Sequence, residues 1–265
     1  MRSAAASALV VLALAAAGCG GSEDETSGTP PAPPPPTIEP TTGTETTPGP
    51  IGGTPVGVYF VRDGKLGFAG RSVGLTPKVA TATMEELLGG PTASEQEAGL
   101  ASDVPQNTKL QALAITDGTA RVELSNPLDA LGTAQVVQTL LQFETVDRVE
   151  LEGAQREPAD VEEFLPAILV ESPAPGAEVS SPLKASGTAN TFEANFQAEV
   201  VETGGKSLAK DFVTATSGSG QRGTFEFELD FFADRQKPGK LIVYERSAED
   251  GSVINKVEIP VTLTP

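Results

Sequence analysis

The spacing of apolar residues changes character along this chain, and the change divides it. Val56, Val58 and Phe60 recur at every second position, as in a half-buried strand, and Asp63-Gly64 follows as a turn signal. Ala80, Met84, Leu87 and Leu88 then fall at i, i+4, i+7 and i+8, which predicts a helix. Thr76 is placed to cap it, Pro77 to occupy its first position, and Gly89-Gly90-Pro91 to stop it. Two strand-like runs, Lys109 to Ile115 and Thr119 to Leu124, flank Asp117-Gly118 and predict a hairpin with Leu113, Ile115, Val122 and Leu124 inward. A second helix is expected from about Thr133 to Phe143 on Ala134, Val137, Leu140 and Leu141, and it leads into a strand from Val146 to Leu151. The order strand, helix, hairpin, helix, strand predicts a small α+β layer with helices on one sheet face.

Beyond a short acidic connector the period becomes two. Phe192, Ala194, Phe196, Ala198 and Val200 alternate with Glu193, Asn195, Gln197 and Glu199; Phe225, Phe227, Leu229 and Phe231 do the same, as do Val257, Ile259, Val261 and Leu263. Turns are expected at Gly204-Gly205, Gly218-Ser219-Gly220, Pro238-Gly239 and Asp250-Gly251, and no helical period interrupts them. Short strands with one apolar face and regular turns predict an all-β sandwich.

The first 54 residues follow neither pattern. Met1-Arg2 precedes an apolar run from Leu9 to Ala17, which has the length of a secretory signal and is too short to span a bilayer as a helix. From Gly20 to Thr54 the chain is rich in Pro, Thr, Ser and Gly with almost nothing apolar to bury, which predicts a disordered stalk. Its proline runs favour an extended form reaching about 100 Å at full stretch.

Composition narrows the chemistry. The chain has no histidine and one cysteine, Cys19, which removes Ser-His-Asp and Cys-His nucleophile systems, internal disulfides and most zinc or copper sites. The formal net charge is −18. Loss of a signal containing Arg2 leaves 17 basic against 36 acidic side chains, or −19. Such a chain is repelled by nucleic acid and by anionic headgroups, so basic or neutral partners are expected.

Paired carboxylates are the catalytic arrangement that composition leaves open. Glu85-Glu86, Glu162-Glu163 and Glu249-Asp250 are adjacent, but neighbours on a strand or helix diverge, and no spacing places two carboxyls across a cleft. Solvated surface charge is the plainer reading. Asp103, Glu249 and Asp250 are loop oxygens for a cation, without an Asp-x-Asp-x-Asp-Gly loop. Glu193 and Asn195 are expected to share a solvent-facing strand side, either as a contact surface or as ordinary alternation. Tyr59, Tyr244 and Phe68 are expected in the core or at its rim. No catalytic residue, metal or cofactor is assigned.

Gly18-Cys19 behind the apolar run resembles the lipobox of bacterial lipoproteins. The resemblance implies cleavage before Cys19, a diacylglyceryl group on its sulfur, further acylation, and a place at the extracytoplasmic face of the cell membrane, where two or more chains anchor firmly. Leu87-Leu-Gly-Gly-Pro91, Glu97 to Pro105, Asp117-Gly118 running into Arg121 to Ser125, and Gln138 to Leu141 before Val146-Asp-Arg-Val149 resemble the GerMN domain of sporulation and germination proteins. That family also occurs in envelope lipoproteins of bacteria that do not sporulate, includes ring-forming relatives and a lipoprotein partner of a sensor kinase, and has no associated catalytic residues. Ser172 to Gly176, Val179 to Pro182, Ser186 to Asn190, Phe192 to Ala194, Gly223 to Phe227 and Tyr244 to Ser247 resemble the immunoglobulin-like domain found beside GerMN.

The expected organisation is a lipoprotein signal at 1–18, lipidated Cys19 with its linker to 54, a GerMN-like α+β domain at 55–158, a connector at 159–166 and an immunoglobulin-like sandwich at 167–265. The expected function is a non-catalytic interaction or assembly module of the envelope, with self-association among its contacts and a germination role only in an organism that sporulates. The alternative is a module binding peptidoglycan or another wall glycan, against which stands the absence of tryptophan.

Overall fold

A computed structural model describes residues 52–265. Cys19, the signal and all but the end of the linker lie outside the described residues. Strand β1 (Thr54–Arg62) turns at Asp63-Gly64 and pairs residue for residue with β2 (Lys65–Val73). The turn works because Asp63 and Gly64 both take positive φ, 52° and 74°, the twist a two-residue hairpin needs. β2 escapes the apolar pattern because glycines at 67 and 70 interrupt it. A side chain at 67 would meet Leu100 Cδ2 at 2.8 Å, so close packing, not turning, explains that glycine.

Helix α1 (Val79–Leu88) starts two residues later than the Thr76-Pro77 pair predicts. Thr76 Oγ1 accepts from the Lys78 N–H (3.1 Å) instead of capping a helix that begins at Pro77. A short α2 (Ala93–Glu97) follows, held by a reciprocal capping box between Thr92 and Glu95. The predicted hairpin forms as β3 (Leu110–Thr116) and β4 (Thr119–Leu124). Leu113 faces Val122 and is partly buried, but Ile115 pairs with Ala120 and remains 37% exposed, so its inward placement is corrected. The second helix, α3 (Ala130–Leu141), begins three residues before Thr133, because Asp129 caps it by accepting from the Gly132 N–H (2.7 Å). It crosses over to β5 (Arg148–Leu151), which runs parallel to β4 and antiparallel to β6 (Ala154–Arg156).

The domain is α+β as expected, but its strands form two sheets, the β1–β2 ribbon and the order β3-β4-β5-β6. Helices α1 and α3 contact both sheets, and Phe60, Leu66, Met84, Leu87, Val137 and Leu140 close the core between them.

The connector holds α4 (Pro158–Val161) and a turn over Glu162–Phe164. The second domain is a sandwich. One sheet has the order β12 (Gly223–Leu229), β9 (Leu183–Ala189), β7 (Ile168–Ser172); the other runs β11 (Ser207–Thr214), β10 (Asn195–Glu202), β13 (Lys237–Arg246), β14 (Val253–Leu263), β8 (Glu178–Val179). Phe196 meets Phe225 edge to face at 4.9 Å at the centre of its core. Two expectations fail here. Pro238-Gly239 lies inside β13 as a strand, paired with Thr262 and Val261, with Gly239 pressed against Leu263 and the Val201 carbonyl. Phe192 is 62% exposed, because Glu193 and Ala194 take positive φ and the strand begins only at Asn195.

Candidate functional site

The functional geometry is built from β1 outwards. In a two-residue hairpin the pair flanking the turn is hydrogen-bonded, so alternate residues of β1 turn their N–H and C=O away from β2. Those residues are Gly57, Tyr59 and Val61. Helix α3 presents Gln135, Thr139 and Gln142 along one face, at i, i+4 and i+7. Gln142 takes the Gly57 N–H on Oε1 and donates Nε2–H to the Gly57 carbonyl, both at 2.7 Å. Thr139 Oγ1 accepts from the Tyr59 N–H (3.2 Å), and Gln135 Nε2 donates to the Tyr59 carbonyl (3.1 Å). Gln135 is fully buried and also accepts from the Asp103 N–H (2.8 Å). Val61 exchanges both backbone bonds with Ala101 (2.7 and 2.8 Å). Three polar residues on a helix thus stand in for a missing neighbouring strand.

Tyr59 carries the geometry into the second domain. Its ring is buried edge-on to Phe68 at 5.6 Å, and its hydroxyl donates to Glu171 Oε1 on β7 at 2.7 Å. Burial, followed by the neighbouring Glu171 charge, pushes the Tyr59 phenol above its ordinary range. Burial likewise pushes the Glu171 carboxyl up, opposed by the Tyr59 hydrogen bond and by Arg222. Leu169, also on β7, belongs to the first domain's core. At the ribbon tip Arg62 Nη1 reaches the Glu258 carbonyl (3.5 Å) and Lys65 donates to the Glu163 carbonyl. The ribbon therefore covers the open side of the sandwich, where β7 ends one sheet and β14, ahead of its short pairing with β8, borders the other. It encloses a cleft of about 480 Å³ whose walls include Leu66, Phe68, Ile168, Val257 and Ile259.

One member of each adjacent carboxylate pair singled out by sequence has a structural engagement. Glu86 and Glu95 share Arg71, at 2.7 and 2.5 Å, with the guanidinium lying 5.2 Å from the Phe60 ring centre. Glu162 takes Arg222 through both oxygens (2.9 and 3.1 Å) and accepts from Asn190 (2.8 Å). Burial alone would raise the Glu162 carboxyl, but Arg222 and Asn190 outweigh it and hold the group below its usual range. Arg222 also donates to the Pro166 carbonyl (2.8 Å), which ties the connector to the second domain. Asp250 accepts from the Ser252 N–H (3.0 Å) within its own turn. Among the described residues no cluster of three or more acidic or thiol ligands is placed to hold a metal ion. Glu193 lies in the left-handed turn ahead of β10, so it shares no strand face with Asn195; Asn195 bonds Thr214 Oγ1 (2.8 Å) and the Glu193 carbonyl (2.9 Å). Tyr244 is buried beneath Lys210 and Arg246, each 5.4 Å from its ring centre. Sequence reasoning missed the ladder on α3 and the Tyr59–Glu171 contact. The ladder had a signal, three polar residues at helical spacing among apolar ones; the contact, across 112 positions, had none.

No helix among the described residues is long and apolar enough to cross a membrane. Among solved structures, the chain is similar to the tandem GerMN domains of the sporulation protein GerM from Bacillus subtilis (20% identity, 40% of this chain and 41% of that one, TM-score 0.34). It is also similar to a chain from Clostridium perfringens provisionally called a lipoprotein (17% identity, 43% and 93%, TM-score 0.28). It spans about two fifths of the Bacillus chain. No curated protein matches the sequence. Residues 57–157 match the family described as sporulation and spore germination, and residues 167–252 match the immunoglobulin-like domain of bacterial spore germination. The chain therefore joins a sporulation and spore germination domain to a germination-type immunoglobulin-like domain, in that order.

Proposed function

We propose that this protein is a lipid-anchored, extracytoplasmic accessory protein that works by binding other envelope proteins rather than by catalysis. The observation that carries the reading is the pairing of these two germination-type domains in one chain. The lipobox-like Gly18-Cys19 supports the anchor, and the Tyr59–Glu171 and Arg222–Glu162 contacts support a rigid two-domain body. A rigid body on a long acidic stalk suits a protein that presents surfaces at a distance from the membrane. A germination role follows only where the organism forms spores; elsewhere the same body serves an envelope complex or a membrane sensor.

Two measurements test this. Mass spectrometry of the mature protein is expected to find its first residue at Cys19 with a diacylglyceryl mass, and Cys19→Ser is expected to move the protein out of the membrane fraction. Crosslinking in intact envelopes followed by affinity capture is expected to recover specific envelope proteins. Recovery of none above background, together with retention on purified peptidoglycan, would replace this reading with wall-glycan binding.

A further inference from the structure

Strand β3 is the open edge of the four-stranded sheet. It runs Leu110-Gln-Ala-Leu-Ala-Ile-Thr116 with no charge, in a chain of net charge −18, and five of its seven residues are exposed. Native sheet edges are ordinarily blunted by lysine, proline, a bulge or a covering element; this strand carries no lysine or proline, and its bulge is confined to Leu110–Ala112. Thr116 and Thr119 flank the two-residue turn, so Leu113 and Ile115 point their backbone N–H and C=O away from β4. Among the described residues, no hydrogen bond outside the strand pairings reaches either of them. The bulge falls between Leu110 and Ala112, which leaves Leu113 to Thr116 in regular register.

We propose that β3 is a dimerisation strand, and that two copies of this chain join their four-stranded sheets by antiparallel pairing of β3 with β3 centred on Leu113. The inference rests on the reading above, that the protein acts through protein contacts, and names one of them. The register follows from the strand itself. Centring on Leu113 places Leu113 opposite Leu113 of the second copy, so that their outward-facing N–H and C=O bond each other, and brings Ile115 opposite Gln111 at the bulge. Centring between two residues would set outward groups against inward ones. Centring on Ala112 or Ala114 keeps outward groups opposed, and charge selects Leu113 among these registers. That centring alone carries Lys109 to Asp117 of the second copy at both ends, whereas a parallel pairing would set like charges together. On the face opposite Leu113, Ala114 pairs with Arg121 and Ala112 with Glu123. Across the two-fold axis the row therefore reads Arg121, Ala114, Ala112, Glu123, small residues at the seam and opposite charges flanking them.

The test uses the full chain in the membranes of the cells that express it, with Cys19 as the only native cysteine. Differently tagged copies carrying Ala112→Cys or Ala114→Cys are expressed together or singly and mildly oxidised. Opposed positions in this register bring Cα atoms within disulfide reach, whereas Ala112 and Ala112 of the second copy stand about 8 Å apart. The mixture is expected to crosslink about tenfold more than either variant alone, since cysteines with Cα atoms beyond about 7 Å do not bridge. Ile115→Lys in both copies is expected to remove that excess, being a change at an exposed position. Equal crosslinking in mixed and single expressions, or none, would overturn the register. A crosslink from Ala114→Cys to a different protein with none between copies would overturn self-pairing. Envelope partners captured without any β3 crosslink would overturn this inference while leaving the proposed function standing.

Discussion

β1 and β3 are both edge strands of the first domain, both enter an Asp-Gly turn, and both turn alternate backbone groups away from their hairpin partners. They differ in what meets those groups. On β1, Gln142, Thr139, Gln135 and Ala101 supply a partner for each N–H and C=O of Gly57, Tyr59 and Val61. On β3, among the described residues, no hydrogen-bonding partner meets them. The hairpin chemistry is the same, so the difference comes from α3, which lays a polar row against one edge and an apolar stripe against the core. A closed edge can be used for something else: the Tyr59 side chain is free to reach Glu171 and fix the domain seam. An open edge keeps its pairing capacity for another chain.

The largest expected effect tests the closed edge. Gln135→Leu keeps the volume but leaves the Tyr59 carbonyl buried without a partner, at about 1–3 kcal/mol, and takes the acceptor from the part-buried Asp103 N–H as well. Urea or thermal denaturation followed by circular dichroism is expected to show that loss. Gln142→Ala, at a partly exposed position, is expected to lose only about 1 kcal/mol. A Gln135→Leu protein as stable as its parent would mean that the ladder does not hold β1.

How much of this was legible follows the range of the signal. The β3–β4 hairpin could be read because Asp117-Gly118 and its flanking runs lie within sixteen positions. β2 could not, because Gly67, pressed against Leu100, and Gly70 break the alternation. Pro238-Gly239 carried a turn signal and became strand, since Gly239 lets β13 pass tightly against Leu263 and β10, an environment that no local window contains. Phe192 belonged to a perfect alternation and still fell outside it, because the backbone at Glu193 and Ala194 turns left-handed before pairing begins. The seam depends on partners far apart in sequence, Tyr59 with Glu171 and Glu162 with Arg222.

The second effect concerns that seam and separates its two ends by pH. Tyr59→Phe removes the donor from a half-buried carboxylate and is expected to cost about 1–3 kcal/mol. Folding raises the Glu171 pKa, so the folded state holds that proton more tightly than the unfolded chain does. Its contribution is fully present below the unfolded value of about 4.3 and is lost as pH rises through the folded value. Glu95 and Glu162 are lowered, held down by Arg71 and by Arg222 with Asn190 against the opposing effect of burial. Their contributions are present above about 4.3 and are lost as pH falls through the folded values. Stability measured against pH is therefore expected to lose its Glu171 component in Glu171→Gln, in the window above about 4.3, while the acid limb below it stays. A Glu171→Gln profile that overlays the parent across both windows would remove Glu171 from the account of the seam.

The smallest expected effect on stability sharpens the comparison most. Ile115 is 37% exposed on an edge whose outward groups already face water. Ile115→Lys is therefore expected to change unfolding by no more than about 0.5 kcal/mol, the usual range for a surface substitution. The same change puts a charge into each half of a paired β3 edge, next to its centre, and is expected to abolish association. A lysine on β1 offers no such separation, because there the edge is part of the fold. If Ile115→Lys unfolds the domain, β3 is held by contacts of the same kind as β1, and the two edges are alike after all. If it leaves both folding and association intact, the open edge is merely solvated. Only loss of association with folding preserved makes the bare strand a surface kept for a second chain.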